Sequence, residues 1–104
     1  MIIVTIDHIP GRNYEVLGVV KGNVVQSKNF GKDFMSAMKG LMGGEIVAYT
    51  EMLAEARQIA TGRMVKEAEA MGADAVLNLR YASSSVMQSA AECIAYGTAV
   101  RFVD

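Results

Sequence analysis

Apolar residues recur in steps of three and four at Tyr49, Met52, Leu53, Ala56, Ile59, Ala60, Met64, Ala68 and Met71. That spacing lines one face of an α-helix. Glu51, Glu55, Gln58, Lys66 and Glu69 fall mainly on the rest of the wheel. No proline interrupts 45–71, so the pattern predicts one helix of about 40 Å at ~1.5 Å per residue. A compact chain of this length has a radius of gyration of about 13 Å, so part of such a helix is expected to pack outside its own subunit. Gly72 suits the left-handed position that closes a helix. Gly62, in the middle, costs about 1 kcal/mol against alanine and marks a bend, a close approach by another backbone, or a tolerated glycine. Gly43-Gly44 exposes the first amides of the helix, an end that can bind an anion. Glu45 already supplies negative charge there and favours a plain helix start or hinge.

Around this helix the period changes to two. Residues 2–6 are β-branched apart from the turn they run into, Asp7-His8-Ile9-Pro10-Gly11, and predict a first strand. A second strand is expected over 14–21. Gly22-Asn23 then separates it from Val24-Val25-Gln26 as a two-residue hairpin turn would. Asp33 is placed to cap a short helix over 34–42. After the long helix, Ala73-Asp74 leads to a strand over 75–82, and Ser83-Ser84-Ser85 opens a polar loop to about Ser89. The last strand, 91–103, alternates small residues (Ala91, Cys93, Ala95, Gly97, Ala99) with larger ones (Glu92, Ile94, Tyr96, Thr98, Val100, Phe102). The small face admits a helix or another sheet at close range. A strand of ~13 residues is about twice the usual length, and its excess is expected to pair with a second strand or a neighbouring subunit. The expected order is β-β-β-α-α-β-β in one domain, 1–104.

Composition sharpens this. The chain has 104 residues, net charge −1, 20% charged residues and 52% apolar ones. The balance gives nucleic acid and anionic membranes no electrostatic hold. It is apolar for a small monomer, and burial between subunits resolves that. No run reaches the ~20 apolar residues of a membrane span, the first residues lack a basic start to a signal peptide, and there is one cysteine. A cytoplasmic protein is expected.

Candidate chemistry is sparse. His8 is the only histidine and Cys93 the only cysteine, too few to build a zinc site of three or four ligands within one chain from Cys and His alone. An oligomer could assemble such a site by bringing His8 or Cys93 from each subunit to a symmetry axis. Otherwise Cys93 reads as a small buried hydrophobe and His8 as a solvated turn residue. The Met35, Met38 and Met42 stripe offers soft ligands for Cu(I) or adaptable packing. A nucleophilic Cys-His pair needs hydrogen-bond reach, and nothing in the sequence brings Cys93 to His8. Glu51, Glu55 and Glu69 read as a solvated helix face. Tyr49, Arg57 and Asp74 flank the core elements, with a structural ion pair as the expected role of Arg57. No catalytic residue is assigned.

The ordered set Gly43-Gly44, Tyr49, Ala56-Arg57, Ala68, Gly72-Ala73-Asp74-Ala75-Val76 and Gly97-Thr98-Ala99-Val100 resembles the YbjQ family, small prokaryotic proteins carrying a heavy-metal-binding label. Leu17-Gly18-Val19-Val20, Gly22 and Asp33 extend the likeness over nearly the whole chain, which departs from the family pattern at Glu45 and Asn78. The resemblance implies an α+β subunit, an antiparallel-rich sheet on the long helix, in a ring-like homopentamer. It implies no enzymatic activity. The first functional expectation is a non-enzymatic oligomer binding a metal ion or small ligand at inter-subunit sites. The second is an interaction module whose pentameric ring is the functional surface. The third is an enzyme with a composite inter-subunit site that includes Arg57 or Asp74.

Overall fold

Residues 1–27, 42–87 and 90–104 are described by a computed structural model. In it the longest apolar repeat becomes α1, Met42–Ala70. Among its described side chains the buried ones are Met52, Ala56, Ala60, Met64 and Ala68, a row in steps of four. Such a row is inclined to the helix axis. Gly72 ends it at φ 79°, and Ala73 N–H donates back to Ala68 C=O at 3.0 Å. Among the described residues no helix is long and apolar enough to cross a membrane.

The sheet beneath α1 has four strands, β1 (Ile2–Ile3), β2 (Tyr14–Ser27), β3 (Ala75–Met87) and β4 (Ala90–Phe102). Their order is β1-β3-β4-β2. β1 runs parallel to β3, and the other pairs are antiparallel. The architecture is therefore α+β with a mixed sheet. The small face of β4 lies where its pattern puts it. Cys93, Ala95 and Ala99 are buried with Val20 and Val24 of β2 against Ala56, Ala60, Met64 and Ala68. Ala75, Leu77 and Val100 form a second cluster with Val4, Ile9, Tyr14 and Phe102. The described residues span 58 × 22 × 18 Å, with a radius of gyration of 17.3 Å. That exceeds the ~13 Å of a compact chain of similar length.

Four expectations change. Gly22-Asn23 is no turn, for β2 runs unbroken through it with Gly22 opposite Ala95 and Asn23 opposite Ile94. A type I′ turn needs positive φ at both central residues, and neither Gly22 nor Asn23 has it. Glycine stands there because α1 comes so close: a Cβ on Gly22 would strike Ala60 O and Met64 N, the two ends of one helical hydrogen bond. Gly62, by contrast, has nothing within 4 Å of where its Cβ would be. Two residues past Ala60 is a turn of ~200°, so it points away from the sheet. Ser83-Ser84-Ser85 belongs to β3, opposite Cys93, Glu92 and Ala91, because backbone pairing along an already formed β4 does not require apolar side chains. The first strand is only Ile2–Ile3, although Val4 N–H still bonds Val76 C=O at 3.0 Å. The described order is thus β-β-α-β-β. The short helix over 34–42 and the cap at Asp33 lie outside the described residues, except that Met42 opens α1.

β3 carries a bulge. Leu77 faces Thr98 and Arg80 faces Tyr96, so two residues, Asn78 and Leu79, oppose Gly97 alone. Asn78 takes φ 56°, a left-handed conformation that asparagine tolerates better than most residues. The displaced amides stay paired, Asn78 N–H with Ile6 C=O and Leu79 N–H with Val4 C=O, both at 3.0 Å. The crowding falls on Gly97, whose Cβ would lie 2.6 Å from Val76 Cγ1 and 2.8 Å from Leu77 O.

Two comparisons test this packing, the first by chemical and the second by thermal denaturation. Gly22→Ala is expected to lose more than the roughly 3 kcal/mol at the upper end of ordinary overpacking, because the obstructing atoms are helix backbone. Gly62→Ala should gain up to about 1 kcal/mol from helix propensity. Similarly, Gly97→Val should lower the melting temperature well below that of Ser84→Val, whose side chain is exposed. Equal melting points would show that the bulge yields.

Candidate functional site

The candidate residues do not converge. His8 is exposed, with Nδ1 2.8 Å from Asp7 Oδ1. That hydrogen bond, then the imidazole's charge, lowers the Asp7 carboxyl below its ordinary pKa. Cys93 is 1% exposed and sits inside the main core. It pairs with Val24, whereas the turn holding His8 adjoins Tyr14, whose hydroxyl donates to Asp7 C=O at 3.4 Å. Tyr14 pairs with Phe102, nine positions along β4 from Cys93, or roughly 30 Å at the rise of a strand. Among the described residues no three His, Cys, Asp or Glu side chains gather as a metal site. The Met35 and Met38 side chains lie outside the described residues, as does that of Met42.

Asp74 serves the fold. Its Oδ2 accepts from Phe102 N–H at 2.9 Å, and its own N–H donates to Val100 C=O at 2.8 Å, fastening the start of β3 to the end of β4. Nearby, Arg12 lies 3.7 Å from the Phe102 ring centroid and donates to Asp104 at 3.0 Å. That bond, with the Asn13 N–H, holds the Asp104 carboxyl below its usual range. Arg101 pairs with Glu15 across β4 and β2. Glu51, Glu55 and Glu69 lie exposed on α1 and Tyr49 is half-buried.

Arg57 is elsewhere, and it lines a concavity on the helix side of the sheet. α1 lies mainly over β2 and β4, leaving the helix side of β3 open beyond the bulge. There a groove of about 530 Å³ is lined by Ala54, Arg57, Gln58, Thr61, Gly62 and Tyr81. The bulge creates it. On a regular strand Tyr81 would share the face of Leu77, away from α1. The extra residue reverses the alternation and sets Tyr81 opposite Ala95, with its hydroxyl 2.7 Å from Thr61 Oγ1. Thr61 Oγ1 in turn donates to Arg57 C=O at 2.7 Å, so the tyrosine must be the donor of the pair. Arg57 is exposed, and no described carboxylate pairs with it. The expected structural ion pair is absent among the described residues. Tyr81 was not legible as a site residue, because its direction depends on the bulge at Asn78.

Comparison with known proteins agrees on one grouping. A family model described as "Putative heavy-metal-binding", YbjQ, matches residues 1–103. The UPF0145 protein of Clostridium novyi is 58% identical over 103 residues, covering 99% of this chain and all of that one. That of Thermotoga maritima is 61% identical over 102 residues, 97% of this chain and 96% of its own. The crystal structure of a Pediococcus pentosaceus protein with unknown function from the DUF74 family shares the fold at TM-score 0.63 and 18% identity, covering 99% of this chain and 98% of that one. The chain therefore belongs to the YbjQ family of UPF0145 proteins.

Proposed function

We propose that this protein works as a non-enzymatic homo-oligomer, a pentameric ring that binds a heavy-metal ion or small ligand between subunits. The observation that supports this is the unfinished burial of the subunit. Among the described residues, one helix covers part of one face of a four-stranded sheet. Val16, Val19 and Val25 of β2 are 65%, 71% and 57% exposed, and Tyr96 of the adjoining β4 is 40% exposed. Val19 pairs with Thr98 and Val25 with Glu92, so both stand on the face that α1 does not cover. β2 also forms one margin of the sheet among the described residues, and β3 forms the other beyond Leu79. Neither β2 nor residues 80–87 of β3 contains proline, a residue that blunts sheet edges. Exposed valines beside long strand margins fit a second copy of the chain.

Any metal belongs between chains on this reading. Cys93 is enclosed by its own helix and sheet, and the described residues offer it no companion ligand. A small ligand has the same geometry available to it wherever two subunits close over a half-exposed surface.

Light scattering coupled to gel filtration should give a mass five times the 11.2 kDa of one chain. A concentration-independent monomer would overturn the proposal. Untagged wild type and Cys93→Ala, exposed to Zn²⁺ and Cu(I) and dialysed, should retain equal metal per subunit. Metal retained by wild type and lost in an intact Cys93→Ala oligomer would move the site to the core thiol.

A further inference from the structure

The groove beside Tyr81 is built within one chain, and its chemistry is specific. We propose that it binds a small organic anion, with the carboxylate or phosphate head on Arg57 and a flat apolar body against the Tyr81 ring.

Tyr81 donates its only hydroxyl proton to Thr61, and Thr61 donates its own to Arg57 C=O. Neither hydroxyl retains a proton for a ligand. The donors left in the groove are the Arg57 guanidinium and the Gln58 amide, and no described acid neutralises Arg57. A guanidinium presents parallel N–H groups that match a carboxylate or phosphate. The same hydroxyl chain fixes Tyr81 against α1, so its ring is positioned before any ligand arrives, which reduces the ordering cost of binding. Tyr81 remains 44% exposed. Ala54 and Gly62 bring only small side chains to the helix wall of the groove. The groove has a volume of about 530 Å³ and is largely open to solvent, so a ligand lies against its walls and is not enclosed by them.

Benzoate and phenyl phosphate are suitable probes, with benzyl alcohol as the neutral control. Saturation-transfer NMR on the untagged full chain should show both anions binding. Benzyl alcohol should bind a few-fold more weakly, because it lacks the charge that pairs with the guanidinium, a pairing that water screens at an exposed residue. Arg57→Gln should weaken both anions by a similar factor while circular dichroism and particle mass stay unchanged. Tyr81→Leu, which removes the ring, should weaken them as well. No binding by either anion at millimolar concentration overturns the inference, as does equal binding by benzyl alcohol or unaltered affinity in Arg57→Gln. A change of particle mass in Arg57→Gln would instead place Arg57 in a contact between copies, overturning the anion site and leaving the oligomer standing. A monomeric wild type that binds anions through Arg57 would do the reverse.

Discussion

Everything in this subunit depends on one backbone-to-backbone contact. Gly22 of β2 lies against the helical hydrogen bond between Ala60 and Met64, with Ala95 beside it in β4. A residue with a Cβ at 22, or a larger one at 60 or 95, would lift the helix and open the core along its length. The four-residue spacing of Met52, Ala56, Ala60, Met64 and Ala68 follows from that proximity. Ala60 lies at the closest approach, and Met52 and Met64 fill the rest of the row with flexible, polarisable side chains. Cys93 and Ala99 play the same part from the sheet.

This constraint also governs what could be read in advance. The helix and the small face of β4 were legible because each is a repeated signal in which many residues agree. Gly22 was not, since one glycine serves equally for a turn or for a close neighbour, and the neighbour is almost forty positions away. The serines of β3 misled for a related reason: their side chains say little about the pairing of their backbones. The functional surface was the least legible part. Arg57 stood out as a charge among apolar neighbours, but the expected ion pair was not found among the described residues. Its companion Tyr81 owes its direction to an asparagine three residues earlier that adopts a left-handed conformation.

The two sides of the sheet have different tasks. On the helix side, packing is tight over β2 and β4, and loosens over β3 to leave the groove. On the other side, the segment following β1 covers the Val100 end through Val4 and Ile9, while the half that carries Val19, Val25 and Tyr96 remains open. The exposed valines and the open groove therefore lie on opposite faces, so association through the first need not close the second.

The burial of Cys93 has a practical consequence. Its thiol lies between the helix and β4, so a dissolved reagent meets it only in molecules whose helix has come away from the sheet. The chain thus contains its own reporter of that separation. At saturating reagent the modification rate gives the frequency of helix detachment, and at low reagent it gives the fraction of molecules open at any moment. Comparing the two across protein concentrations would distinguish motions internal to the subunit from those that neighbouring copies hold in check.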